Sequence, residues 1–217
     1  MQLIIANKNY SSWSLRGWLA LKAFNVPFDE IQLSLETEEF YQTLAQHTNV
    51  GKVPVLIDND LTVWDSLAIC EYVNEAYLQG KGWPADKNKR AVARSIVAEM
   101  HSGLLAIRNE MPMNCRATRR IEPTESALQE IAHVDGMWSK LRAENSKEGD
   151  YLFGDFSLAD VFFSPLIFRF MTYRVVVSDS VKAYMDTMFS HPAMQEWYQA
   201  ALSETEIVAS DEAGEPV

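Results

Sequence analysis

The chain has 217 residues, of which 47% are hydrophobic and 23% charged, and a formal net charge of -11 at pH 7. That balance suits a folded chain with a sizeable core, while the acidity argues against a nucleic-acid backbone as partner, because phosphate binding needs a basic surface. No apolar run approaches the ~20 residues that span a bilayer and the N-terminus shows no signal-peptide pattern, so the expectation is a cytoplasmic location with no membrane partner.

Leu3–Ala6 reads as a short buried strand. It is followed by Asn9-Tyr10-Ser11-Ser12-Trp13-Ser14-Leu15-Arg16, three serines crowded at a strand-to-helix junction. Leu15, Trp18 and Leu19 then recur at helical spacing until Asn25 and Pro27 stop the helix. One serine suffices as an N-cap. A further hydroxyl at the positive end of a helix can donate to an anion, and such a bond to a thiolate favours its charged form.

Phe28–Leu33 alternates as a second strand, and 37–46 reads as an irregular helix. Val55–Ile57 and Thr62–Trp64 are short strands joined by Asp58-Asn59-Asp60, a hairpin signal, and a helix follows from Ser66 to about Leu78. The order is βαβαββα. Just before the hairpin, Val53-Pro54 points to a cis bond that would hold the Val53 N–H and C=O out of the sheet, open to an extended peptide. Asp65-Ser66 caps the third helix and also offers donors for a carboxylate and an acceptor for an ammonium.

Residues 80–86, with two glycines and a proline in and around them, read as a linker between a first domain (1–79) and a second (87–217). Beyond the linker no strand is expected. Helices are predicted over 87–109, 124–145, 157–173, 180–189 and 192–204, and the acidic tail is expected to be poorly ordered. Ser157 and Asp160 are spaced as a capping box and are assigned no chemistry. Cys70 and Cys115 fit no metal spacing and read as small apolar residues, and no metal is expected. Arg116, Arg119 and Arg120 read as a solvated basic loop. The helix through His101, Leu105 and Arg108 and the one through Arg169, Tyr173 and Arg174 are expected to face the first domain.

Taken together, "SSWSLRGWLALK", "NVGKVPVL", "WDSLAICEYV" and "GDFSLADVFFSPL" resemble the cytosolic glutathione S-transferase family over almost the whole chain. The serine-rich opening looks most like the zeta class, the maleylacetoacetate isomerase-like members. The resemblance implies a thioredoxin-like N-terminal domain that binds glutathione and an all-helical C-terminal domain that lines an acceptor pocket, in a two-fold homodimer. By that similarity Ser11 takes the place of the catalytic serine, with Ser12 and Trp13 beside it. Val53 before Pro54 would pair with the cysteinyl backbone, and Asp65 and Ser66 would hold the γ-glutamyl end. Trp13 stands where the zeta class carries cysteine, and Glu39 where some members carry glutamine, which leaves Lys52 or His47 to meet the glycyl carboxylate. Tyr10, His101, Leu105, Arg108, Arg169, Tyr173 and Arg174 are candidates for the acceptor pocket. The implied reaction is conjugation of glutathione, as co-substrate, to a small electrophile. The alternatives are glutathione-dependent cis–trans isomerisation and a non-catalytic interaction protein on the same scaffold.

Overall fold

Side-chain alternation along the first strand decides which partners the sheet needs. In β1 (Gln2–Ala6), Leu3 and Ile5 point to one face and Ile4 and Ala6 to the other, and all four are fully buried, so both faces must be covered. The computed structural model, which describes residues 1–217, covers them with helices. α1 (Ser12–Lys22) and α3 (Ser66–Ala76) pack Leu15, Leu19 and Ile69 against Leu3 and Ile5. On the opposite face α2 (Glu38–Ala45) brings Phe40 and Leu44 to Ile4, Ala6 and Val55. β2 (Asp29–Leu33) lies parallel to β1, while β3 (Val55–Asp58) and β4 (Leu61–Trp64) add antiparallel strands in the order β2-β1-β3-β4. α1 ends where Asn25 takes a left-handed conformation (φ 56), with Val26 N–H bonded to Leu21 O and Asn25 N–H to Lys22 O, a Schellman stop. This is the thioredoxin-like first domain that the sequence implies.

The second half is helical: α4 (Lys87–Ser102), α5 (Leu105–Glu110), α6 (Glu125–Asn145), α7 (Leu158–Thr172), α8 (Asp179–Ser190) and α9 (Pro192–Ser203). α7 is its centre, buried on nearly every face. The Ser157–Asp160 capping box starts it. The Asp160 carboxylate accepts from the N–H groups of Leu152 and Ser157 and from the hydroxyls of Ser157 and Tyr184. Complete burial nonetheless pushes its carboxyl up to about 6. The two halves share one continuous core, and the buried guanidinium of Arg16 on α1 donates to the Phe162 carbonyl of α7 at 3.0 Å. The connecting segment is docked as well: Gly82 N–H bonds Asn74 and Leu158 N–H bonds the Gly82 carbonyl.

Four expectations are corrected. The helix predicted over 87–109 is broken at Gly103 and Leu104, where Leu104 turns left-handed (φ 54) and the chain restarts as α5. The second half does contain strand pairing, between β5 (Arg119–Arg120) and β6 (Glu215–Pro216). The acidic tail is therefore held, not loose. Its Glu212 accepts from Tyr10, Asn114 and Arg119. The arginine cluster is correspondingly not a solvated loop, since Arg116 donates to the Tyr10 hydroxyl and to the carbonyls of Glu204 and Glu206. Composition alone missed these ties because each partner lies far away along the chain.

Candidate functional site

A cleft of about 820 Å³ opens between the sheet domain and the helical half. All eight residues of the expected glutathione site line it: Ser11, Ser12, Trp13, Lys52, Val53, Pro54, Asp65 and Ser66. The serines at the head of α1 have different surroundings. Ser11 is the N-cap: its Oγ accepts from Ser14 N–H and donates to Ser14 Oγ at 2.7 Å. Ser14 is fully buried and in turn accepts from Ala6 N–H. The Ser11 proton is thus used inside the junction. Ser12 Oγ instead accepts from Arg169 Nη2 at 3.2 Å, which leaves its own proton for the cleft. The Tyr10 hydroxyl is committed too, accepting from Arg116 and donating to Glu212.

On the sheet side the Val53–Pro54 bond is cis, and neither backbone group of Val53 is hydrogen-bonded within the chain. Pro54 sits against Gly17 of α1, where an added Cβ would lie 3.0 Å from the ring, closer than an ordinary van der Waals contact. Asp65 is the N-cap of α3, with Oδ1 accepting from Leu67 and Ala68 N–H and Oδ2 3.2 Å from His101 Nε2. Beside it the Ser66 hydroxyl is buried and has no partner. Lys52 is exposed at the rim. Glu39 and His47 lie outside the cleft lining.

The helical wall is rich in unpaired cations. Two guanidiniums lie over the Trp13 ring, Arg16 at 4.3 Å and Arg108 at 4.6 Å from its centre, a cation–π arrangement. Arg169 is 5% exposed and donates to the carbonyls of Arg108 and Met111 at the end of α5. Burial lowers both Arg16 and Arg169, the latter to about 10, so Arg169 remains a cation at neutral pH. Arg108 and Arg169 line the cleft together with the carboxylates of Glu36, Asp65 and Asp211. Burial raises the Asp211 carboxyl, and Arg169 acts against that rise.

Of the acceptor candidates, Tyr10, His101, Arg108 and Arg169 line the cleft, whereas Leu105, Tyr173 and Arg174 do not. The helix break turns Leu105 outward, to 56% exposure. Arg174 is the left-handed residue that ends α7 (φ 52), so it points to solvent. Tyr173 is buried below the cleft with its hydroxyl unpartnered. Sequence reasoning missed Glu36, Asn109, Met113 and Asp211, which also line the cleft. Asp211 had no signal because its tail reads as solvated. Cys70 and Cys115 are buried and burial pushes both thiols up, which makes them unreactive. No three His, Cys, Asp or Glu side chains gather where they could hold a metal ion.

Comparison with known proteins supplies the frame for this geometry. Residues 10–76 match the model of the glutathione S-transferase N-terminal domain and residues 118–200 that of the C-terminal domain. Rat maleylacetoacetate isomerase is 29% identical over 180 residues, covering 77% of this chain and 76% of the relative. A glutathione transferase homologue from Burkholderia, solved with bound glutathione, superposes with a TM-score of 0.71 at 21% identity, over 92% of this chain and 97% of that one. The holo structure of maleyl pyruvate isomerase, a bacterial zeta-class protein, gives a TM-score of 0.69 at 22% identity, over 95% and 100%. At such identities the two solved structures speak for the fold, and the matched models, which together cover more than half of the chain, speak for descent. The chain belongs to the glutathione S-transferase family.

Proposed function

We propose that the protein is a glutathione transferase that binds glutathione in the cleft, stabilises its thiolate and directs it at a small electrophile. The observation that carries this reading is the set of unused hydrogen-bonding groups along one wall. The Ser66 hydroxyl is buried without a partner, the Val53 peptide groups are free, and Ser12 keeps an uncommitted proton. Unsatisfied buried polar groups are costly and need a partner, and a γ-glutamyl carboxylate, an extended cysteinyl backbone and a thiolate would supply three. Asp65 would meet the ammonium and Lys52 the glycyl carboxylate. The donor to sulfur in this reading is Ser12, with Ser11 serving the helix. The protein contributes proximity and preorganised donors, not a covalent nucleophile.

A cytoplasmic detoxifying role and a two-fold homodimer are part of the reading. No helix is long and apolar enough to cross a membrane. Light scattering at micromolar concentration is expected to give twice the chain mass, and a mass near 24.7 kDa would contradict the dimer. A second reading, glutathione-dependent isomerisation of a carboxylated acceptor, is favoured by Arg108 and Arg169, which reach the cleft without carboxylate partners. Calorimetry tests the shared premise: millimolar glutathione should give saturable heat, weakened several-fold by Ser66→Ala. No heat at any reachable concentration would leave only a non-catalytic scaffold.

A further inference from the structure

We propose that Arg169, a residue of the helical half, is a positioning residue for thiol activation: it fixes the Ser12 hydroxyl so that its proton faces the cleft. The inference rests on the reading of Ser12 as the donor to glutathione. A serine hydroxyl carries one proton and two lone pairs, and it rotates to suit its neighbours. A guanidinium only donates. With Arg169 Nη2 at 3.2 Å from Ser12 Oγ, the hydroxyl must turn a lone pair toward the arginine. Its proton then has to leave in another direction. No acceptor within the chain takes it, and Ser12 lies on the cleft wall.

The arginine is itself held still. One nitrogen, Nη1, bonds the carbonyls of Arg108 and Met111 at the end of α5, and the side chain is almost fully buried on α7. A planar fork anchored at one prong presents the other in a fixed direction, which an ammonium on a flexible stem does not do. The Ser12 carbonyl is gripped separately by Arg16 Nη1 at 3.2 Å, so backbone and hydroxyl of the same residue are set by two different cations. The neighbouring serine shows the contrast, because its proton is spent on Ser14. A donor oriented before the thiolate forms needs no reorganisation when it does. Other charged groups lining the cleft are Arg108 from α5, Asp65 at the start of α3, His101 in the last turn of α4, Glu36 and Lys52 from the sheet domain and Asp211 from the tail, while Arg16 of α1 is buried behind Ser12.

The test is the pH titration of thiolate absorbance for glutathione bound to the wild type, Ser12→Ala, Arg169→Met, Arg169→Lys and the Ser12→Ala/Arg169→Met double variant. Arg169→Met is expected to raise the pKa of the bound thiol by about one unit, tenfold less thiolate at neutral pH, and to lower kcat at neutral pH but not at high pH. The double variant should match Ser12→Ala alone. Arg169→Lys keeps the charge and loses the fork, so it should raise the pKa as well, and it carries the test if the Met variant does not fold. An equal shift from Arg169→Met with and without Ser12 would mean that the charge acts directly and would overturn the proposal. An unchanged thiol pKa in either arginine variant, or only a higher KM for a carboxylated acceptor, would also overturn it. If Ser12→Ala itself leaves the titration unmoved, the reading of Ser12 falls and takes this inference with it. If Ser12→Ala shifts the curve and the arginine variants do not, only this inference falls.

Discussion

Two adjacent serines at the head of one helix have unequal work because their protons have unequal partners. Ser11 spends its proton on Ser14, and Ser12 receives a bond from Arg169 and keeps its own. Ser12→Ala should therefore raise the pKa of bound glutathione by about one to two units, since a hydrogen bond to a charged group is worth ~1.5–3 kcal/mol. Ser11→Ala should lower folding stability by about 1 kcal/mol through loss of the cap and move the thiol titration less. Thiolate absorbance against pH, with urea midpoints beside it, separates the two. The opposite pattern would return the role to Ser11. That this junction carries more hydroxyls than a cap needs was legible in the sequence. Which of them keeps its proton free was not, since the deciding partner stands 157 residues further on.

At the scale of elements, α7 depends on a carboxylate that gives up its preference for water. Asp160 holds the start of the helix through four donors while its carboxyl sits at about 6, against about 3.9 in an unfolded chain. The folded state thus keeps the proton where the unfolded state has lost it. The resulting stability is present below about pH 4 and disappears as pH rises through about 6, a change on the order of 3 kcal/mol. Asp160→Asn should be less stable than the wild type, with a gap that narrows as pH rises across that window. Urea unfolding of both proteins through the window checks it, and a constant gap would show that Asp160 does not titrate there. The capping box that marks this helix was readable from Ser157 and Asp160 alone, as were most helices and the βαβαββα order. The break after α4 was not, because Gly103 is tolerated inside a helical pattern and the left-handed turn falls on Leu104.

Across the whole molecule, α9 and the residues beyond it secure the segment before α1. The Glu204 carboxylate accepts from the N–H groups of Lys8 and Asn9 at 2.6 and 2.9 Å, and Trp197 Nε1 bonds the Lys8 carbonyl. Glu212 holds Tyr10 and Asn114, and Val217 N–H reaches the Thr118 carbonyl. A chain ending at Ser203 should melt several degrees lower and bind glutathione more weakly, because the loop that carries Tyr10 and Ser11 loses its anchors. Thermal unfolding and calorimetry of that shortened chain check both parts, and unchanged affinity would make the tail a matter of stability alone. This arrangement was not legible in the sequence. A run of acids without apolar residues reads as solvent-facing unless the backbone donors and arginines that it meets are known.

The anchoring of residues 8–10 by residue 204 also sets an order of events during synthesis. Domains tend to fold as they emerge, N-terminal part first, so the sheet and its three helices can close while the helical half is still being made. The loop before Ser11 and Ser12 then waits for Trp197 and Glu204, and Ser12 waits for Arg169. The segment before α1, made early, is among the last to reach its final geometry. An incomplete chain released early would carry a closed sheet domain and an unfinished cleft wall.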